Sequence, residues 1–454
     1  MNLKKLFGCG AALGAAACLF ASPSQAYDAN FHVYQAGNGV GDALIFPVYA
    51  AGGTVKTNLR VVNTSTYSVV AKVVFREPNT SCEARDFFIY LSPNDEWTAD
   101  VVDVNGTTTI HSEDDSSPEV PLNVGMATTC NGYDASIGYV EVYGVAAMTF
   151  TDGGYSLTGP ISKGLIQTAY STLRDNTSGA FFLNDPIGTD ANRRPNATCI
   201  NSATMDVPYS NKRYGMTYYP SQNVLAGVEE IKDPSMHLVM PMVATALANN
   251  CNTRKLTVGE ETRWDRYGYN SQFEVRAALA KSAIHIPYRH DNQNATWAVF
   301  NFPAKLSCCM SGDSDCDGVL SSGDPCDKSK EYATSIAQNI YDLQENTTTT
   351  TTIYSPVPPG AKIEKEVYIS QLTPPFAEGW MRVQLTDADV QRSGTTKSGT
   401  TIRYAGSAVI PSYLQFAYDL TWVPATFDCS DVKVVSTDNA TFNNCAYQLA
   451  PNKQ

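Results

Sequence analysis

Three aspartates at alternate positions, Asp313, Asp315 and Asp317, followed at once by Gly318, are the one place in this chain where residue type and spacing prescribe a chemistry. Counted as a twelve-position loop from Asp313, the carboxylates fall at positions 1, 3 and 5 and Gly318 takes the sharp turn at 6. The Val319 carbonyl then falls at 7, Ser321 at 9 and Asp324 at 12. A hard divalent cation takes about six or seven oxygens, and alternate residues of a tight loop converge on it. Without an ion, three carboxylates so close together repel one another. The frame therefore reads as a Ca²⁺ loop with Asp313, Asp315, Asp317, Val319, Ser321 and Asp324 as ligands. Aspartate at position 12 instead of the longer glutamate, and a serine at 9 acting through water, make it a weak site.

Four cysteines, Cys308, Cys309, Cys316 and Cys326, surround this loop. With Val319 after the glycine and Cys326 two places past Asp324, the segment resembles a thrombospondin type 3 calcium repeat. That resemblance covers only this short stretch, and it implies a structural loop wound around calcium and stapled by disulfides. A cohesin-binding dockerin carries a similar loop twice, whereas one copy is found here.

The segment that must deliver the loop to an oxidising, calcium-rich compartment stands at the start of the chain. Lys4 and Lys5 form a basic n-region, Leu6 to Phe20 is apolar and alanine-rich, and Ser24-Gln25-Ala26 offers small residues for cleavage. This is the pattern of a secretory signal peptide over residues 1–26, too short to span a membrane. Its removal takes Cys9 and Cys18 away and leaves ten of the twelve cysteines, an even number that in an exported chain implies disulfides. Local pairing joins Cys82 with Cys130, Cys199 with Cys251 and Cys429 with Cys445, with the four around the loop pairing among themselves. Sequence order leaves this connectivity open. No Cys-x-x-Cys pair supports a zinc site instead. The formal charge of −13, taken further by loss of Lys4 and Lys5, argues against nucleic acid or anionic lipid as a partner. No later stretch is long and apolar enough to cross a bilayer as a helix. The expected place is outside the cell or on its surface, otherwise the periplasm.

The positioning elements read as mainly β. Ala43 to Ala50, Asn58 to Asn63, Ser68 to Glu77, Asp86 to Leu91, Thr98 to Val104 and Gly138 to Val145 are rich in Val, Ile, Tyr and Phe, with turn residues between them. In Ser68 to Glu77 the apolar Val69, Ala71, Val73 and Phe75 alternate with Lys72 and Arg76, the period of a half-buried strand. This predicts an N-terminal β-sandwich over 27–150. Residues 151–305 read as a mixed α/β, disulfide-rich middle region. Helices are predicted from Ile161 to Leu173 and from Met236 to Ala248, long loops over 176–219, and core strands or a helix over Phe273 to Ile286. Residues 306–345 hold the Cys-rich calcium loop and a short helix marked by Tyr332, Ile336, Ile340 and Leu343. The threonine run Thr347 to Thr352 is either a flexible linker or an edge strand, and 346–454 is a second β region.

The motifs Gly41-Asp42-Ala43-Leu44-Ile45-Phe46-Pro47, Val61-Val62-Asn63-Thr64-Ser65, Leu91-Ser92-Pro93-Asn94-Asp95 and Gly138-Tyr139-Val140-Glu141 resemble those of a family of uncharacterised exported proteobacterial proteins. Trp297 to Lys305 and Gly379-Trp380 fit the same set. The resemblance implies export and no activity, cofactor or catalytic residue. Gly138-Tyr139-Val140-Glu141-Val142 is echoed by Gly379-Trp380-Met381-Arg382-Val383, a likeness short enough for chance to supply.

None of His32, His111, His237, His285 and His290 lies in a metal-ligand or nucleophile frame, and no phosphate loop or serine elbow is present. The adjacent acids Asp114-Asp115, Glu229-Glu230 and Glu260-Glu261 are candidate carboxylate pairs for a glycosidase acid and base. Tyr214, Tyr218 and Tyr219, and Trp264, Tyr267 and Tyr269, are aromatic groups able to stack on sugars or to fill a core. Two readings follow. One is a non-catalytic surface or extracellular structural or assembly protein, stiffened by disulfides and Ca²⁺, that meets itself or another surface protein through strand edges. The other is a glycan-binding module or glycoside hydrolase.

Overall fold

In the computed structural model the residues described are 33–117, 123–176, 203–249, 278–303, 334–348, 362–385 and 392–443, apart from brief stretches within these spans. The chain is mainly β, in several antiparallel sheets. Strands β1 (Ala43–Ala50), β2 (Lys56–Asn63), β3 (Ser68–Arg76), β4 (Glu83–Leu91), β5 (Glu96–Val104) and β6 (Ile137–Asp152) form on the predicted runs. One sheet is hydrogen-bonded in the order β4–β3–β6–β1, and β2 pairs with β5 in the sheet facing it. Leu44, Phe46, Leu59, Val61, Val73, Phe75, Trp97, Val101 and Val140 fill the space between them. The Trp97 indole N–H is satisfied by the Ser117 hydroxyl at 3.0 Å, so this large ring is buried without an orphaned donor.

The 151–305 stretch departs from expectation. Helix α1 (Lys163–Asn176) forms where a helix is predicted, with the Ser162 carbonyl accepting from the Leu165 and Ile166 N–H groups at 3.0 and 3.1 Å. The expected loops contain a hairpin, β7 (Ala203–Tyr209) and β8 (Lys212–Pro220), turning on Ser210 and Asn211 at φ 48° and 62°. After β9 (Leu225–Asp233), the second predicted helix is instead β10 (Leu238–Val243) and β11 (Thr245–Asn249). These strands complete the first sandwich: β8 pairs with β6, β11 with β1, β9 with β2, and β10 with β9. The boundary expected at residue 150 falls inside β6.

Strand β3 is not half-buried. Every one of its residues is buried, because α1 lays Leu165, Ile166, Ala169, Tyr170 and Leu173 over the outer face of its sheet. Tyr170 meets Phe88 of β4 at 5.4 Å between ring centroids. Each such aliphatic burial contributes about 1.5–3 kcal/mol. Lys72 and Arg76 lie beneath this cover and are paired, Lys72 with Asp86 at 2.5 Å and Arg76 with Glu141 at 2.9 Å.

The second half includes β12 (Ala280–Arg289), β13 (Ala295–Asn301), β14 (Thr334–Asp342), β15 (Val367–Leu372), β16 (Glu378–Leu385), β17 (Ile410–Phe416), β18 (Thr421–Pro424) and β19 (Thr426–Cys429). The predicted helix from Tyr332 to Leu343 is therefore strand β14, paired along its length with β16. The threonine run begins as an edge strand, Thr347 and Thr348 pairing with Tyr341 and Ile340. One sheet runs β14–β16–β12–β19 and the other β18–β17–β13–β15.

This is the first sandwich built again, in the same chain order: β3–β6–β1–β11 corresponds to β14–β16–β12–β19, and β10–β9–β2–β5 to β18–β17–β13–β15. The registers agree. Gly138 lies opposite Tyr49 as Gly379 lies opposite Tyr288, and Asn63 opposite Leu225 as Asn301 lies opposite Ile410. A Cβ on either glycine would come within 2.8 Å of the facing tyrosine hydroxyl. Thr57 Oγ1 accepts from the Ala50 N–H at 2.9 Å and donates to its carbonyl at 2.8 Å; Thr296 Oγ1 does the same to Arg289 at 2.9 and 3.2 Å. The Gly-aromatic echo, short enough to be chance as sequence, thus marks equivalent central strands. The halves share an apolar contact in which Val48, Ile231, Met240 and Met242 meet Val299, Val367 and Ile410. The Val367 N–H donates to the Pro78 carbonyl at 3.0 Å across the same boundary.

Candidate functional site

The expected calcium ligands Asp313, Asp315, Asp317, Val319, Ser321 and Asp324 lie outside the described residues, as do Cys82, Cys199, Cys251, Cys308, Cys309, Cys316, Cys326 and Cys445. Cys130 ends a two-residue strand and Cys429 ends β19. Among the described residues, no three His, Cys, Asp or Glu side chains come together as a metal site would require.

The Glu229-Glu230 pair is separated by strand geometry. Consecutive residues of a strand point to opposite faces, so Glu229 of β9 turns into the molecule and is fully buried, while Glu230 turns out and bonds Lys232 at 2.6 Å. The two cannot flank one substrate. Asp114 accepts from the Ser116 N–H at 2.8 Å and the Thr98 N–H at 3.2 Å, which holds a turn. Glu260 and Glu261 lie outside the described residues.

Tyr214, Tyr218 and Tyr219 are engaged within the chain as well. Tyr218 is buried, Tyr214 meets Tyr209 at 6.5 Å, and Tyr219 meets Tyr67 at 5.2 Å. Trp264, Tyr267 and Tyr269 are outside the described residues. A cluster unseen in the sequence crosses β14, β16 and β12: Tyr341 stacks on Trp380 at 4.1 Å and 10°, and His285 approaches Trp380 at 5.8 Å. Trp380 is 37 % exposed, yet Tyr341 covers one face of the indole and His285 crowds its side. A sugar ring needs such a face open, so this is a cross-strand ladder that stabilises the sheet.

A cleft open to solvent lies at the start of α1. It encloses about 480 Å³ and is lined by Ser92, Asp95, Asp115, Ser162 and Lys163 among others. Burial pulls the Lys163 ammonium down to about 8, while the Asp95 carboxylate against it and Asp115 at 3.8 Å favour the charged form. The Ser92 hydroxyl donates to the Asp95 carboxylate at 3.2 Å and the Ser162 hydroxyl bonds Tyr209 at 3.0 Å, so both hydroxyls are engaged within the chain. Lys163 instead ties the helix to the Ser92-Pro93-Asn94-Asp95 turn. That turn is itself locked: Asn94 sits at φ 57°, the Ser92 N–H bonds Asp95 at 2.8 Å, and buried Asn63 donates to the Ser92 carbonyl at 2.8 Å and the Tyr67 carbonyl at 2.6 Å. Two of the recurring motifs, the one around Asn63 and the one around Asp95, are the two sides of this lock.

The other two motifs are structural as well. Gly41 has no room for a Cβ against the Leu247 backbone, and Gly138 has none against Tyr49. Glu141 bonds Arg76 with both side chains 1 % exposed. Pro47 ends the first motif at a bulge, where the pairing of β1 with β6 slips between Gly138 and Val140. Its carbonyl accepts from the Asn301 side-chain amide of the second sandwich at 2.9 Å, in a buried position. Beside it Glu229 is pushed well above the ordinary carboxyl range by desolvation, eased only in part by the Val48 N–H. No family model matches the chain, and no curated protein is significantly similar to it.

Proposed function

We propose that this is an exported, non-catalytic structural or assembly protein of the cell surface or extracellular space, stabilised by disulfides and by one Ca²⁺ held at Asp313, Asp315, Asp317, Val319, Ser321 and Asp324. The observation that carries this reading is the repeated sandwich with a shared apolar contact, whose motif residues hold backbone and whose buried Glu141 is paired with Arg76. A unit repeated and docked in this way is suited to bearing load and presenting surface. A valine strip offers such a surface: Val228, Val239 and Val243 are 42, 48 and 65 % exposed on the outward face of β9 and the edge strand β10. Apolar rows at sheet edges favour contact with another chain.

The test combines cell fractionation with mass measurement in native buffer containing millimolar Ca²⁺. The reading expects the protein outside the cell or on its surface, in assemblies that shrink on chelation. A monomer confined to the periplasm that cleaves a glycan panel would overturn it in favour of the hydrolase reading.

A further inference from the structure

The bulge in β1 is one place where the two copies of the sandwich differ, and it is also a place where they meet. In the second copy β12 runs beside β16 from Ala283 to Arg289 with no slip, its Pro287 and Tyr288 adjacent. In the first copy Val48 is inserted between Pro47 and Tyr49, and the slip in register takes the extra peptide unit out of the ladder. A buried peptide unit must find partners elsewhere. Its carbonyl, on Pro47, takes the Asn301 amide at 2.9 Å. Its N–H, on Val48, turns toward Glu229 in a contact too loose to satisfy either carboxyl oxygen fully.

We propose that the Pro47–Val48 peptide is a proton-operated catch between the two sandwiches, held at its carbonyl by Asn301 of the second and at its N–H by the Glu229 carboxyl of the first. The surroundings of Glu229 supply no cation among the described residues. The inward row of β9 is Leu225, Gly227, Glu229, Ile231 and Asp233, and Asp233 is bonded to Thr54 at 2.9 Å and Ser235 at 2.6 Å. Leu59 of β2 and Met242 of β10 lie opposite Glu229, and from β1 the Val48 N–H approaches it while Phe46 lies against Gly227 of the same inward row. Lys56, Arg60 and Lys232 point outward and pair with Asp100, Glu96 and Glu230. From the second sandwich Asn301 reaches the adjoining Pro47 carbonyl, and the apolar Val299 and Ile410 belong to the cluster that holds Val48, Ile231 and Met242. An ionised carboxylate here, with one loose donor, is not sustainable. The closed joint therefore keeps Glu229 protonated, and opening lets water in and the proton out.

The sign follows from linkage. The closed state holds one proton more than the open state once the pH exceeds the ordinary carboxyl value of 4.5. The open-to-closed ratio then rises about tenfold per pH unit until the closed-state carboxyl itself titrates.

Small-angle scattering of the full chain between pH 4 and 9, with far-UV circular dichroism in parallel, reads this directly. The wild type should expand with rising pH while keeping its β signal, and Glu229→Gln should stay compact throughout. Asn301→Ala should open the joint at all pH values and abolish the difference that Glu229→Gln makes. Should Glu229→Gln fail to fold, the Asn301→Ala comparison with wild type still decides, because it must flatten the pH response. A pH response unchanged by either substitution, or additive effects in the double variant, overturns the catch. So does loss of β signal in step with expansion, which would mean that Glu229 serves the first sandwich's core and not the joint.

Discussion

Cutting the Arg76–Glu141 pair should be far more costly than replacing it. Both side chains are 1 % exposed and 2.9 Å apart, on β3 and β6 under the cover of α1. Arg76→Met takes the guanidinium away from the buried Glu141 carboxylate, and removing one partner of a buried pair costs about 3–5 kcal/mol. For a unit of this size that is a fall of roughly 10 °C in midpoint. Replacing both, as Arg76→Met with Glu141→Leu, removes the desolvation penalty of two charges and should be neutral or stabilising by about 1–4 kcal/mol. The second sandwich places Tyr341 and Arg382 at the equivalent positions, so the fold does not depend on an ion pair there. Guanidinium denaturation of the wild type, both single variants and the double variant, analysed as a double-mutant cycle, measures the coupling. Single variants that each cost under about 1 kcal/mol, or a double variant that costs their sum, would refute the view that burial under α1 sets the energetics of this face.

Gly379→Ala should cost about 1–3 kcal/mol by overpacking against Tyr288 and the Tyr341 carbonyl, read as a lower denaturation midpoint; an unchanged midpoint would mean the glycine is not a packing requirement. Burial lowers Lys281 from 10.5 to about 7, so the unfolded chain binds the extra proton between those values and the native state gains stability as the pH rises through that window. Lys281→Met should therefore stabilise most below pH 7, with the gain fading toward pH 10.5 in thermal melts; a gain independent of pH would point to packing alone. At free Ca²⁺ near ten times the dissociation constant, binding should contribute about 1.4 kcal/mol. Asp315→Ala should remove the corresponding shift in melting temperature, and titration calorimetry showing no uptake at millimolar Ca²⁺ would sink the loop.

The strands from Ala43 to Val104 were legible because short-range chemistry marks them: β-branched and aromatic runs, broken by turns at Asn63-Thr64-Ser65 and Ser92-Pro93-Asn94-Asp95 whose side chains bond their own backbone. Helix α1 was legible from its apolar period. The misread segments fail for a definable reason. Ile336 and Ile340 are four apart, a spacing that puts residues on one face of a helix and equally on one face of a strand, and only pairing with β16 makes β14 a strand. Along β10 the buried Met240 and Met242 alternate with outward Val239, Pro241 and Val243, but the outward residues are themselves apolar, so the alternation is invisible to hydropathy. The candidate calcium ligands are the opposite case, since one contiguous loop carries the whole frame and its spacing can be read without any fold. The partners of Lys163, Glu229 and Asn301 are remote in sequence, and Asn301 and Pro47 are 254 positions apart. No local pattern encodes such a contact. The repetition of the sandwich was hidden for a related reason: what it conserves is a glycine with no room beside a tyrosine and a threonine sealing one residue's backbone, constraints that leave the residues between them free to change.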